Sequence, residues 1–227
     1  MEKLEKQVVG YTATCHGLVH VLELTYGALL LGIAREFGAS LFVLGILANV
    51  MGFAYGATSL PSGFMADRQA ERRLLILCSL GMALSSLIIG FAPNIYVLGL
   101  GLLALGMALG IYHPTGAAFI ARVVHQRGLG FGYQGIGGNI GLALGPVMAG
   151  AIASFLGWRA AYLIFALPPI LLAILLFFTM RTEVPSAEPL VPEVGAKRVS
   201  WKPIILPITL IFSAQIFSGF TGCAARP

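Results

Sequence analysis

The chain has 227 residues, of which 58% are hydrophobic and 10% charged, and its net charge is +5. Its mean hydropathy is +0.90. Soluble domains carry about 25% charged residues and under about 50% apolar ones, so the composition excludes an ordinary water-soluble fold and indicates a protein surrounded by lipid. The positive charge comes from Lys and Arg residues that flank the apolar stretches, so no nucleic-acid partner is expected.

Charged residues divide the chain into long uncharged stretches. A membrane crossing takes roughly 20 apolar residues, and without water its backbone must satisfy its own hydrogen bonds, so each stretch is predicted to be a helix. The ten-residue alternating segments of a transmembrane barrel do not occur. The sequence therefore predicts an all-α polytopic membrane protein. Its spans are predicted at residues 11–34, 40–62, 74–92, 95–120, 131–155 and 160–180, with a seventh at 204–222.

The placement of Lys and Arg predicts the orientation. With the N-terminus in the cytoplasm, eleven of the 14 basic residues fall on the inner side, and only Arg35, Arg159 and Arg226 fall outside. This is a strong positive-inside bias. The N-terminal residues lack the pattern of a cleaved signal peptide, so the first span is predicted to be retained. We therefore expect a multi-pass protein of the cytoplasmic (inner) membrane with its N-terminus in the cytoplasm.

A polar stretch at residues 181–203 contains four prolines, three acidic residues and four basic residues. Such a segment cannot bury a core, so we predict a cytoplasmic linker. It divides a six-helix domain at residues 1–180 from an incomplete seventh span and tail at 204–227. Because the tail does not resemble a natural helix end, we expect the chain to be truncated or frameshifted.

A weak internal repeat relates the second and fifth spans. Gly52-x3-Gly56-x4-Pro61 recurs as Gly137-x3-Gly141-x4-Pro146, at an offset of 85 residues. Such symmetry is typical of transporters built from inverted three-helix repeats. The alternative is chance in a chain that contains 29 glycines.

The first span carries three ionisable residues on one face. His16, His20 and Glu23 stand at i, i+4 and i+7, which places them together over about two turns. A carboxylate inside the membrane costs several kcal/mol unless it is protonated, paired or exposed to a water-filled cavity. The pattern predicts a proton relay, and the alternative is a satisfied polar cluster that holds the first span to a neighbour.

The pair His16 and His20 also has the spacing of two metal ligands, and Glu23 or His113 could complete such a site. A membrane-embedded metalloprotein is thus a remote alternative. No HExxH pattern or open-site carboxylate set accompanies the pair. We therefore assign no metal ligand, no cofactor and no enzymatic activity.

The loop between the second and third spans has a patterned set of glycine, acidic and basic residues. Asp67 is predicted to cap the start of the third span, where a carboxylate favours the positive end of the helix dipole. The residues of this pattern are Gly63, Asp67, Arg68 and Arg72.

The fifth span carries a ridge of small residues. Gly137, Gly141, Gly145 and Ala149 recur every four residues, which predicts the close approach of another helix. Pro146 interrupts the hydrogen-bond ladder of this span and predicts a kink.

These two patterns resemble signatures of the major facilitator superfamily. The loop is similar to G-x3-D-R-x-G-R-R, with Ala70 and Glu71 in place of a glycine and an arginine. The fifth span is similar to the antiporter signature G-x3-G-P-x2-G-G, with one Gly-to-Ala change, through Gly141, Gly145, Pro146 and Gly150. Stretches 16–27 and 110–116 resemble the fosmidomycin-resistance-like drug-exporter branch.

The resemblance implies a fold and a function. It implies the N-terminal six-helix bundle, with a 3+3 inverted repeat, of a twelve-helix transporter that exchanges protons for a small organic molecule or drug by alternating access. The loop would brace the cytoplasmic gate. The implied partners are a small-molecule substrate, protons, the lipid bilayer, and a missing C-terminal half or a second copy; a non-functional fragment is the alternative. The substrate cavity would be lined by Tyr112, His113, Gln134 and Asn139.

Overall fold

The structure, a computed structural model, describes residues 1–68 and 70–180, so the predicted linker and seventh span lie outside the described residues. Within these ranges every regular element is a helix. The helices are α1 (Lys3–Phe37), α2 (Leu41–Ala66), α3 (Glu71–Gly90), α4 (Ile95–Val123), α5 (Arg127–Leu156), α6 (Trp158–Phe165) and α7 (Leu167–Thr179).

Together α6 and α7 form the sixth crossing. Pro168 and Pro169 lie in the first turn of α7, where proline is tolerated because the first N–H groups of a helix have no partner within it. The same two residues cannot donate to carbonyls of α6, so the helix is interrupted at Ala166. Counting this pair once, six segments within residues 1–68 and 70–180 are long and apolar enough to cross a membrane. The predicted all-α, six-span architecture is confirmed.

Helix ends follow local side-chain chemistry. Ser40 accepts a hydrogen bond from the backbone N–H of Val43 and begins α2, while Asn94 accepts from Tyr96 and Val97 and begins α4. Gly38 ends α1 with a φ of 60°, a backbone conformation that favours glycine.

The predicted role of Asp67 as the cap of the third span is wrong. Asp67 follows the last residue of α2, and its backbone N–H donates to the Gly63 carbonyl at 3.0 Å. The N-cap of α3 is Ala70, which makes no side-chain capping bond. The N-cap position of α3 therefore lies three residues after Asp67, which is instead the C-cap of α2.

Two helix pairs form the closest contacts of the bundle: α1 packs along α5, and α2 packs along α4. In a 3+3 repeat the first span corresponds to the fourth and the second to the fifth. The contact of α2 with α4 is therefore the counterpart of the contact of α1 with α5, as such a repeat predicts. The glycines of the sequence repeat permit only one of the two contacts: Gly137 and Gly141 of α5 meet the backbone of α1. Gly106 and Gly110 of α4 meet the backbone of α2, whereas Gly52 and Gly56 have nothing within 4 Å of an added Cβ.

Buried hydroxyls are mostly satisfied within their own helix. Most donate to the carbonyl four residues earlier, which pairs the O–H without water. The hydroxyls of this kind include Thr12 to Val8, Thr25 to Val21, Ser79 to Leu75 and Thr115 to Ile111. The hydroxyls of Ser86 and Tyr162 are buried without a hydrogen-bond partner within the described residues. Polar links between helices are therefore concentrated at a few places, and the largest group of them lies at the α1 histidines.

Candidate functional site

The predicted stripe of α1 forms a continuous chain of hydrogen bonds. Nδ1 of His20 lies 2.7 Å from Oε2 of Glu23, and the Nε2 atoms of His20 and His16 are 3.0 Å apart. Nδ1 of His16 lies 2.9 Å from the backbone carbonyl oxygen of Gln134 in α5. The chain thus runs from a carboxylate whose side chain is 36% exposed to a neighbouring helix.

Helix α4 places two aromatic side chains against this chain. The Tyr112 ring stacks on His16 with centroids 5.1 Å apart and planes at 28°. The His113 ring lies 5.1 Å from His16 and 5.6 Å from His20, centroid to centroid. On its other side, His113 faces Tyr55 of α2 at 6.0 Å.

Three side chains tie α1, α4 and α5 to one another in pairs. The Tyr112 hydroxyl, which is fully buried, donates to the Thr12 carbonyl of α1 at 2.6 Å. It also accepts a hydrogen bond from Nε2 of Gln134 at 2.8 Å. The bond between His16 and the Gln134 carbonyl closes the triangle between α1 and α5. We call these three hydrogen bonds the α1–α4–α5 triangle.

A glycine that sequence reasoning missed makes room for the His16 ring. An added Cβ at Gly138 would lie 2.6 Å from Nδ1 of His16 and 2.9 Å from its Nε2. Gly116 has a similar role, because a Cβ there would lie 2.8 Å from Nε2 of Gln134. Gly138 lies one turn after Gln134 on the same helix, which is the spacing that could have indicated it.

Of the four predicted cavity residues, three lie together and one lies apart. Tyr112, His113 and Gln134 surround His16, with Tyr112 fully buried and Gln134 8% exposed. Asn139 is exposed on α5 and makes no hydrogen bond within the described part of the chain. Their contact with substrate stays a prediction.

A large apolar groove lies away from the histidines. It has a volume of about 740 Å³ and runs along α1 and α5, with Val21, Ile140 and Leu144 among its lining residues. None of the ionisable residues of the α1 stripe lines it. Its walls are mainly apolar, with Lys6 and Tyr133 as ionisable exceptions, and neither His16 nor His20 lines it.

The predicted gate residues are distributed around the end of α2 and the start of α3. Gly63 lies 3.7 Å from Pro114 of α4, measured from an added Cβ, while Asp67 and Arg68 are exposed. Arg72 of α3 donates to the Phe177 carbonyl of α7 at 2.7 Å and lies over the Phe177 ring.

Glu71, which replaces the arginine of the family pattern, forms a buried ion pair. Its two carboxylate oxygens accept hydrogen bonds from Arg122 of α4 at 2.7 and 2.6 Å. The Glu71 side chain is 1% exposed. The departure from the pattern therefore introduces a bidentate link between α3 and α4.

The antiporter-like ridge packs α5 onto α1, as its spacing predicts. An added Cβ at Gly145 would lie 2.8 Å from Cα of Val21, and one at Gly141 would overlap the Gly17 carbonyl oxygen. Gly150 has nothing within 4 Å, and Pro146 lies inside α5, which continues to Leu156.

The sequence is similar to a known family of membrane proteins and to individual members of it. The sequence profile of the Major Facilitator Superfamily matches residues 13–225. The chain belongs to this superfamily. It is similar to the multidrug resistance protein MdtG of Salmonella paratyphi C (strain RKS4594), with 31% identity over 177 residues, which cover 76% of this chain and 44% of that protein. The MdtG of Salmonella typhimurium has the same identity and coverage.

Solved transporter structures have the same fold. A bacterial homologue of the human lysosomal transporter Spinster, inward-facing and unoccupied, superimposes with a TM-score of 0.74 at 19% identity, covering 85% of this chain and 46% of that one. The peptide transporter POT in complex with sulfate gives 0.63 at 16% identity, covering 97% and 46%. The chain thus spans about half the length of the relatives it matches, and it is a multi-pass membrane protein of a transporter family.

Proposed function

We propose that this chain forms the N-terminal half of a proton-coupled exporter, which exchanges protons for a small organic molecule by alternating access. The hydrogen-bonded chain from Glu23 through His20 and His16 to the Gln134 carbonyl carries this proposal. It offers a route for protons between a partly exposed carboxylate and the interior of the bundle.

The number of protons that this row of hydrogen bonds needs supports a coupling role. A carbonyl oxygen only accepts, so Nδ1 of His16 must carry a proton, and each of the other two links needs one proton between its atoms. Three links therefore need three protons. An ionised Glu23 and two neutral imidazoles supply two protons. The complete row of hydrogen bonds therefore holds one additional proton.

Loss of that proton breaks a link. In the loaded form the positive charge of the additional proton cancels the carboxylate charge, which suits a membrane interior. In the unloaded form either the two Nε2 lone pairs face each other at 3.0 Å or His20 separates from Glu23. Proton release thus favours a different arrangement of these side chains, which a proton-driven transporter requires.

The class of substrate and the direction of transport rest on two observations. The relatives named multidrug resistance proteins share 31% identity with this chain. The ridge of α5 is similar to the antiporter signature and forms the closest contact with α1. Both favour export of drug-like molecules, with Tyr112, His113, Gln134 and Asn139 as candidate cavity residues and the Gly63–Arg72 loop as the gate.

The positive-inside bias favours a cytoplasmic-membrane protein with a cytoplasmic N-terminus. In that orientation Glu5 and His125, which hydrogen-bond at 2.9 Å, lie together on the inner side. Glu36 and Arg159, which pair at 2.6 Å, lie together on the outer side. Each pair joins residues that the orientation places on one side.

In this proposal a second half completes the cavity, because the chain covers under half of MdtG and of the Spinster homologue. Large apolar side chains of α2 and α5 remain exposed and are available for such a partner. They include Phe42, Phe53, Leu60, Ile140 and Val147. The partner is a C-terminal six-helix half or a second copy of this chain, and light scattering of the purified chain in detergent separates a monomer from a dimer.

The test is the substitution Glu23→Gln in this chain joined to a six-helix C-terminal half and reconstituted in vesicles. The amide keeps the size of the side chain but cannot exchange a proton. We expect proton-driven exchange of a fluorescent drug to fall by at least about a hundredfold, the size that a loss of about 3 kcal/mol gives.

The control is Glu36→Gln at the C-terminal end of α1, where the amide oxygen can still accept from Trp158. It should leave exchange unchanged. Undiminished proton coupling in Glu23→Gln would contradict the proposal, provided that both variants insert in the membrane to the same level.

A further inference from the structure

We propose that His16, His20 and His113 also form a binding site for a divalent transition-metal ion of the zinc type, which takes the place of the shared proton. One ring nitrogen from each residue lies within 4.8 Å of the other two. The ion would block the transporter by displacing the shared proton and holding the three histidine side chains in place. The blocking effect rests on the proposed function, whereas metal binding itself does not.

The spacing of the nitrogens is close to that of a coordinated ion. Tetrahedral zinc has Zn–N bonds of about 2.0–2.1 Å, so its ligand nitrogens are roughly 3.3 Å apart. The Nε2 atoms of His16 and His20 are already 3.0 Å apart. The His113 ring, whose centroid lies 5.1 Å from that of His16, must move closer to complete the site.

The partners of the other ring nitrogens are those that metal-bound histidines use. A ligating imidazole usually donates its second N–H to a carboxylate or a backbone carbonyl, which fixes the ring and its tautomer. Nδ1 of His20 donates to the Glu23 carboxylate, and Nδ1 of His16 donates to the Gln134 carbonyl. Both Nε2 atoms, 3.0 Å apart, then have lone pairs that are free to bind an ion.

The surroundings also suit a divalent transition-metal ion. Three neutral imidazoles favour zinc, copper or nickel over magnesium or calcium, which prefer oxygen ligands. Glu23 supplies a negative charge next to His20 at 2.7 Å. All three histidines are only partly buried, so the ion has a route of entry and a fourth position for water.

An ion held by these residues would fix side chains from two helices. His16 and His20 belong to α1, and His113 belongs to α4. Alternating access requires the cavity side chains to change partners, and metal–imidazole bonds would oppose that change. Micromolar zinc should therefore inhibit exchange, while the same concentration of magnesium should not.

The binding test uses the purified 227-residue chain in detergent, titrated with ZnCl₂ in a calorimeter. We expect one tight site per chain. Loss of a partner of a ligand typically lowers metal affinity by about 10–100-fold, so the loss of a ligand itself in His16→Ala or His113→Ala should lower zinc affinity by at least about a hundredfold. His125→Ala is the control, because His125 is 73% exposed and lies at Glu5, outside the cluster.

A second measurement guards against unfolded variants. Cobalt(II) bound in tetrahedral geometry gives intense visible absorption, so a Co²⁺ spectrum that is present in the parent and His125→Ala and absent in His113→Gln reports the site directly. Equal helicity by circular dichroism shows that the variants are folded. Zinc binding that is unchanged in both His16→Ala and His113→Ala would overturn the proposal, as would the absence of a tight site in the parent.

The two proposals fail separately. If Glu23→Gln retains proton coupling and His113→Ala still loses zinc, the metal site stands and the coupling proposal falls. If Glu23→Gln abolishes coupling and the parent binds no zinc, the metal site alone is overturned.

Discussion

The imidazole of His16 lies directly over Gly138, so that a Cβ on residue 138 would come within 2.6 Å of Nδ1. The absence of a side chain there allows a ring on α1 to reach the Gln134 carbonyl on α5. One glycine thereby controls one end of the proposed proton path.

Gly138→Ala should displace the His16 ring and break its bond to Gln134. Overpacking of a filled site costs typically about 1–3 kcal/mol, so we expect a lower midpoint of thermal unfolding in detergent and a loss of proton-driven exchange. Gly135→Ala is the matched control on the same helix, because nothing lies within 4 Å of its added Cβ. Equal melting midpoints and equal exchange for the two variants would show that the ring does not depend on Gly138.

The buried pair Glu71 and Arg122 should contribute strongly to the association of α3 with α4. Removal of one partner of a buried ion pair costs about 3–5 kcal/mol, and we expect this loss for Glu71→Ala in urea or detergent denaturation. A double-mutant cycle with Arg122→Ala should give a large coupling energy. The comparison cycle is Glu36 with Arg159, whose side chains are 43% and 31% exposed and whose coupling should lie within about 0.2–1 kcal/mol. Similar coupling in both cycles would contradict the expected effect of burial.

The two ends of the antiporter-like ridge should differ in their effect on stability. Gly141→Ala would force α5 away from the Gly17 carbonyl and should destabilise the bundle by about 1–3 kcal/mol. Gly150→Ala meets nothing within 4 Å and should be neutral or stabilising by up to about 1 kcal/mol, because alanine is the better helix former. Thermal melts of the two variants make the comparison. A destabilising Gly150→Ala would mean that its surface packs against something in the purified protein, such as a second copy.

Much of the fold follows from the sequence because lipid imposes simple rules. The lengths of the uncharged stretches determined six spans, and only their ends moved: the first helix begins at Lys3 rather than residue 11, and the sixth crossing is divided at Ala166. The first difference arises because a helix continues beyond the lipid where its own capping chemistry allows. Here Glu2 and Glu5 form a capping box.

The neighbourhood of His16, His20 and Glu23 was predictable for a geometric reason. Residues at i, i+4 and i+7 share a helix face whatever the rest of the protein does. Contacts between helices have no such rule, since they depend on the rotation of each helix about its axis. For that reason Gly138 and the Gln134 carbonyl were missed, and the open positions Gly52 and Gly56 were expected to match Gly137 and Gly141.

The α1–α4–α5 triangle has a mechanical consequence. Each of the three helices is bonded to both others near one level of the bundle, through Tyr112, Gln134 and His16. No one of them can rotate about its axis without breaking bonds to two neighbours. We therefore expect α1, α4 and α5 to turn as a unit during transport. Adjustment would then occur in side chains around the histidines, with little relative sliding of these helices.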